Sequence, residues 1–275
     1  MSLRLALEQA SHRVVVRRRL PPPFDRARIY VSTEGGLRYL AQPMAQVDPA
    51  LLKLAAEVVR RGDTVWDIGA NMGLFSFAAA VLAGPEGRVL AVEPDTDLVG
   101  LLRRSAAGAA GAAGPVGLAP VEILPAAISD DVSVARFNIA RRNRATSHLA
   151  GFGSAMAGGV RSTRLVPTVT LDWLAARFPA PDVVKIDVEG AELAVLAGGS
   201  RVLAASPAVI CEVSGQNTAA VSSALAGHGY TLYDGDQARG VRVPVRSAPF
   251  NTLAIAARGR RSVGLLDEDG RVPHA

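Results

Sequence analysis

Asp63-Thr-Val-Trp-Asp-Ile-Gly-Ala-Asn-Met-Gly73 decides the fold. Val65, Trp66 and Ile68 form an apolar run interrupted by Asp67, which reads as a buried strand with a carboxylate near its end. Gly69 to Gly73 then turns the chain into the apolar stretch 74–82, which predicts a helix. Strand, glycine turn and helix in succession make the first unit of a nucleotide-binding α/β domain. The glycines admit positive φ and let a ligand approach the backbone where a Cβ would block it.

The details choose among nucleotides. A dinucleotide fingerprint needs Gly-x-Gly-x-x-Gly, and Asn71 stands where its second glycine belongs. Asp67 would also put negative charge close to a diphosphate, which argues against a nicotinamide-dependent oxidoreductase. A carboxylate there suits a ligand with an ammonium group, such as the methionine end of S-adenosylmethionine. The next strand, Arg88 to Glu93, ends on an acid 24 residues after Gly69. That is close to the spacing at which a carboxylate grips ribose hydroxyls.

A second motif, Asp182-Val-Val-Lys-Ile-Asp-Val-Glu-Gly-Ala-Glu-Leu-Ala-Val-Leu-Ala-Gly198, is another apolar strand entering a helix through an acidic turn. With it the chain resembles the FkbM-type family of class I S-adenosylmethionine-dependent methyltransferases. The matching segments are Asp67–Gly73, Val92-Glu-Pro94, Ala127-Ile-Ser-Asp130, Thr170-Leu-Asp172 and Lys185–Glu192, spread over residues 45–256. The resemblance implies a Rossmann-like α/β fold: a seven-stranded, mostly parallel sheet with helices on both faces and an antiparallel last strand. It implies S-adenosyl-L-methionine as methyl donor and a hydroxyl on a small molecule, natural product or glycan as acceptor. It also implies roles. Asp67, Gly69, Asn71 and Gly73 would hold the methionine portion, Glu93 the ribose, and Ile128 and Asp130 the adenine.

Composition bounds the alternatives. The 275 residues suffice for one large domain with a substantial core. At 49% hydrophobic and 20% charged, the chain is globular in character. Lys53 and Lys185 are the only lysines, so the net charge of +5 is carried by arginine. Arginines cluster at Arg13, Arg17, Arg18 and Arg19 and at Arg141, Arg142 and Arg144, runs that normally form solvated faces. With only 5% aromatic residues there is little to interleave for base stacking, which argues against a nucleic-acid methyltransferase. Cys211 is the lone cysteine, which excludes a disulfide framework and a cysteine-based zinc site. No stretch approaches the roughly 20 apolar residues that span a bilayer, so a cytoplasmic protein is expected.

Residues 1–45 read as an N-terminal extension, 46–258 as the methyltransferase domain and 259–275 as a polar tail. In the extension, a basic run and Pro21-Pro22-Pro23 precede an expected hairpin around Gly35-Gly36. Asp48 and Pro49 fit an N-cap and first helical position. Residues 106–120 form an Ala/Gly/Pro tract expected as a flexible loop. Strands at 132–138 and 164–170 flank a long segment, 139–163, read as a loop at the cofactor end of the sheet and a candidate lid.

An alcohol acceptor must lose a proton during attack, and a positioned base adds about 10²–10⁴-fold. Asp187 and Glu189 after the fourth strand, Glu212 at the end of the fifth and His148 in the presumed lid are the candidates. Asp187, Glu189 and Glu212 are also of a type that can hold Mg²⁺, but no dense Asp/His cluster points to a metal, and none is assigned. A non-catalytic nucleotide-binding module is the alternative of another class.

Overall fold

The computed structural model describes residues 14–33, 38–110, 117–141, 146–153 and 159–257. The chain starts with two antiparallel strands, β1 (Val15–Arg19) and β2 (Arg28–Ser32), followed by the short helix α1 (Arg38–Ala41). Helix α2 (Pro49–Val58) is capped by Asp48, whose side chain accepts from Leu51 N, with Pro49 in the first turn. Next come β3 (Thr64–Ile68), α3 (Leu74–Ala83), β4 (Arg88–Val92), α4 (Thr96–Ala110) and β5 (Val121–Leu124). Four strands leave this alternation: β6 (Ala127–Ile128), β7 (Ser133–Ala140), β8 (His148–Leu149) and β9 (Val160–Val169). The chain then returns through α5 (Leu171–Ala175), β10 (Val183–Ile186), α6 (Glu192–Ala197), α7 (Ser200–Ala204) and β11 (Ala208–Glu212). It closes with α8 (Thr218–Gly227), β12 (Tyr230–Asp234), β13 (Pro244–Val245) and β14 (Asn251–Ala256).

The main sheet runs β13-β12-β14-β11-β10-β3-β4-β5. The β11-β10-β3-β4-β5 pairings are parallel, and β14 lies antiparallel to both β11 and β12. Seven of these strands make the expected mostly parallel sheet with its antiparallel last strand, and the two-residue β13 extends one edge. This is the Rossmann-like class I methyltransferase arrangement. Both faces are covered, so the central strands are apolar on both sides. Val65, Val183 and Ile210 face a core built with α2, α3 and α4. Trp66, Ile68, Val184, Ile186 and Cys211 face the core shared with α5, α6, α7 and α8. Period-2 alternation thus sends Asp67 and Lys185 to the first of these faces.

A hairpin that sequence reading did not single out lies ahead of the expected one. The Gly35-Gly36 turn falls outside the described residues, and the observed hairpin pairs residues 15–19 with 28–32. Its connection is held by Leu20 N to Ala27 O (3.1 Å) and Phe24 N to Pro21 O (2.8 Å). Leu20, Phe24, Ile29 and Val31 are buried in the same core as α2 and α3. The basic run is therefore a strand. Arg18 donates to the carbonyls of Tyr39, Leu40 and Gln42 and so secures the C-terminal end of α1. Arg13, Arg142 and Arg144 lie outside the described residues.

The tract after residue 106 stays helical to Ala110, because alanine is the strongest helix former; residues 111–116 are outside the described set. The interval 139–163 is likewise more regular than expected. Strand β7 continues to Ala140 and β9 begins at Val160, paired through Asn138↔Thr163 and Ile139↔Ser162. Backbone pairing between distant segments builds these strands, and the outer face of β9 is exposed, so side-chain periodicity was a weak guide. Together β6-β9-β7-β8 make a second sheet with its own small core of Phe137, Ile139, Leu149 and Val166. Arg164 fastens β9 to the start of α4 through Asp95 (3.3 Å), Asp97 (2.9 Å) and Thr96 Oγ1 (2.9 Å). No helix among the described residues is long and apolar enough to cross a membrane.

Candidate active site

In an open α/β sheet, ligands bind beyond the carboxyl ends of the strands. A cavity lies there, running from β4 and β5 across β3 to β10 and β11. Glu93, Pro94, Leu98, Ala126, Ala127 and Ile128 wall one end, and Phe137 and Leu149 of the second sheet contribute to the wall. Gly69, Ala70 and Asn71 form its middle. Arg38, Tyr39, Asp48, Lys185, Asp187, Glu189 and Glu212 wall the other end.

The glycine turn is built for close approach. Gly69 has φ +76° and Gly73 φ +89°, conformations that disfavour a side chain. A Cβ on Gly69 would overlap the carbonyl oxygen of Asp187. Asn71 also has positive φ (+52°), one of the few residue types that tolerates it. Its Oδ1 is buried with no hydrogen-bond partner, a polar atom on the cavity wall suited to a ligand donor.

Glu93 is buried, yet each oxygen is organised by a backbone amide. Oε2 accepts from Asn71 N and Oε1 from Asp95 N, both at 2.8 Å. Burial pushes its pKa up to about 7, and those two amides restrain the rise. Each carboxylate oxygen retains acceptor capacity, which matches a pair of ribose hydroxyls.

At the other end, Asp187, Glu189 and Glu212 bring carboxylate oxygens within 4.8 Å of one another. Burial, and then repulsion by Asp187, raise Glu189 to about 7 and Glu212 to about 8. Glu189 reaches this position from a strained backbone, φ +52°. Glu192 holds the turn that presents it. It accepts from Gly190 N (2.8 Å), Ser214 Oγ (2.8 Å) and Asn217 Nδ2 (2.5 Å). Such a trio can share protons or hold a cation, and one cation is already present. The Lys185 ammonium sits 3.3 Å from Asp187 Oδ2.

Lys185 is the residue that sequence reasoning passed over. It is buried, donates to Gly69 O at 2.7 Å and lies 3.1 Å from Asp67 Oδ1. The Asp67 contact is an ion pair off the hydrogen-bonding direction. Burial works to lower the Lys185 pKa, but Asp67 and Asp187 outweigh it and raise it above the usual lysine value. A lysine inside the apolar strand Val183–Ile186 was the available signal. Arg38, Tyr39 and Asp48 were passed over as cavity residues too, and only packing brings them to this wall.

Three of the expected site side chains lie off the cavity lining. Asp67 is fully buried behind the cavity wall, its carboxylate taken by Lys185 and by Ser76 Oγ. Asp130 is exposed and accepts from Ser129 Oγ away from the cavity, whereas Ile128 does line it. His148 is not part of the cavity wall. Its neighbours Ser147 and Leu149 line the cavity, and strand alternation sends the imidazole to the opposite side, against Gly153.

A class I methyltransferase sheet with this cavity at its carboxyl rim defines the class of protein. The methyltransferase FkbM domain matches residues 67–257, and the chain belongs to that family. The hexuronic acid methyltransferase AglP of Haloferax volcanii is 28% identical over 163 residues, which are 59% of this chain and 61% of that protein. The chain thus matches less than two thirds of that curated relative. Among solved structures, methyltransferase FkbM from Methylobacillus flagellatus KT shares 14% identity at a TM-score of 0.44, covering 74% of this chain and 50% of the other. Aeropyrum pernix fibrillarin, solved with S-adenosyl-L-methionine bound, shares 12% identity at a TM-score of 0.40, covering 76% and 73%.

Proposed function

We propose that this protein is an S-adenosylmethionine-dependent O-methyltransferase acting on a hydroxyl of a sugar or other small polyhydroxylated molecule. The observation that carries the reading is one cavity with Glu93 beside a glycine turn at one end and Glu189 and Glu212 at the other. In this reading Gly69 and Asn71 hold the methionine portion, Gly73 closes the same turn against Phe77 and Leu102, Glu93 holds the ribose, and Ile128 holds the adenine with Leu98. Family membership supports the donor, and the sugar acid named for the AglP relative supports a glycan-type acceptor. The domain carrying transfer corresponds to residues 46–258, with described residues of the preceding segment packed into its core.

When bound, the donor supplies an electrophilic methyl group: the acceptor oxygen forms the new C–O bond as the C–S bond breaks, its electron pair staying on sulfur. The chain has to align the acceptor, exclude water and take up the hydroxyl proton. Glu212 and Glu189, with pKa values of about 8 and 7, suit that proton near neutral pH. Asp187 is ion-paired to Lys185, so one of its oxygens is committed. Leu51, Phe75, Phe137 and Leu149 give the cavity apolar walls that limit water.

Calorimetric titration with S-adenosylmethionine, S-adenosylhomocysteine and NAD⁺ tests the donor. Micromolar binding of both sulfur ligands and none of NAD⁺ is expected. Incubation with labelled donor and a panel of glycosides, uronic acids and alditols then tests the acceptor, scored by label on oxygen. Folded protein that binds neither sulfur ligand refutes the reading.

A further inference from the structure

Lys185 links two parts of the cavity that different strands supply. It lies opposite Asp67 in the β10–β3 register, on the same face of the sheet. From that buried position, with only 5% of its side chain exposed, the ammonium reaches in three directions. It donates to the carbonyl of Gly69, the first residue of the donor turn. It pairs with Asp67 behind the wall and with Asp187, which is 29% exposed, at the cavity. The turn is also backed from the other side, because the Asp187 carbonyl packs against Gly69 so closely that no Cβ fits between them. Asp187 N in turn donates to Ile68 O at 3.0 Å. The two turns are therefore fixed to each other through one charged side chain.

Deepening the reading above and resting on it, we propose that Lys185 is a positioning residue. Through Gly69 and Asp187 it registers the donor-binding turn against the acidic end of the cavity and sets the net charge that the donor's sulfonium meets. Removal of the ammonium would leave Asp187 without its counter-charge, and the cavity would favour a cationic sulfur over a neutral one. A purely structural lysine would have no such preference, since S-adenosylmethionine and S-adenosylhomocysteine differ only by the methyl group and its positive charge.

The test is the ratio of dissociation constants, homocysteine ligand over methionine ligand, measured by titration on folded protein. Lys185→Met combined with Asp67→Asn removes the buried pair together and leaves no uncompensated buried charge. That variant should bind S-adenosylhomocysteine more weakly, because Gly69 O loses its donor. Because the pair is neutral overall, its ratio should change by less than about twofold, whereas Lys185→Met alone, which removes one unit of positive charge beside the cavity, should raise the ratio about fivefold. Asp187→Asn, which removes one negative charge at the partly exposed end of the pair, should shift the ratio downward by about fivefold. An unchanged ratio in folded Lys185→Met or in Asp187→Asn, or undiminished S-adenosylhomocysteine binding in the double variant, overturns the inference. If the wild-type protein binds neither ligand, the donor reading has failed and takes this inference with it, a failure distinct from one seen only in the variants.

Discussion

Glu93→Gln separates ligand recognition from folding. Both carboxylate oxygens accept from backbone amides at 2.8 Å, and an amide side chain can satisfy only one of them. The other N–H is left buried against an NH₂ group, at a cost of about 1–3 kcal/mol. Against that, the wild-type protein buries a charge whose pKa is lifted from 4.5 to about 7. At about 1.4 kcal/mol per pKa unit, that penalty is roughly 3 kcal/mol above pH 7, and the substitution removes it. The two effects nearly cancel, so stability at pH 7.5 should stay within about 2 kcal/mol of wild type. Binding has no such compensation. A ribose loses hydrogen bonds to a charged acceptor, about 1.5–3 kcal/mol each, so affinity for S-adenosylhomocysteine should fall on the order of 100-fold. Titration calorimetry paired with a urea melt reads both quantities. Unchanged affinity in a folded variant would show that Glu93 does not meet the ribose.

Other perturbations follow from the same geometry. Glu93, Glu189 and Glu212 all have pKa values raised above 4.5 in the folded protein, so the stability tied to their neutral forms is complete below about pH 4.5 and lost as pH rises through 7 to 8. The melting temperature of ligand-free protein should therefore drop between pH 5 and pH 8; a flat or rising profile in scanning fluorimetry contradicts the buried-carboxylate account. Gly69→Ala combines positive-φ strain with overlap on the Asp187 carbonyl and should cost about 2–5 kcal/mol in a denaturant melt. A loss under 1 kcal/mol would mean the turn is laxer than the structure shows. Once an acceptor is found, Glu212→Gln should lower turnover at pH 8 by about 10²-fold or more, while His148→Ala leaves it within about twofold. A large His148 effect would reverse their assignments.

Local chemistry was readable along the chain. Asp48 and Pro49 start α2, Gly69 to Gly73 connects β3 to α3, and apolar strand runs announce a sheet covered on both faces. These signals act between near neighbours, through capping hydrogen bonds, allowed φ values and side-chain period. Glu93, at a strand end after a recognisable spacing, was legible for the same reason, and so were the three acids that β10 and β11 carry to one rim.

What the tertiary structure alone decided depends on partners far apart in sequence. Asp67 and Lys185 each read as a charge in an apolar strand; only the pairing of β3 with β10 shows that they neutralise each other behind the wall. The side of its strand that His148 occupies was set by β8 pairing with β7, and a one-residue shift would have pointed it the other way. Arg38 and Tyr39 reach the cavity because Arg18, some twenty residues earlier, holds the carbonyls at the end of α1. Sequence alone thus determined which segments could form a donor site, since torsions and periodicity are local. Which charges face the ligand and which face one another was decided by strand register and packing, for which the chain carries no local signal.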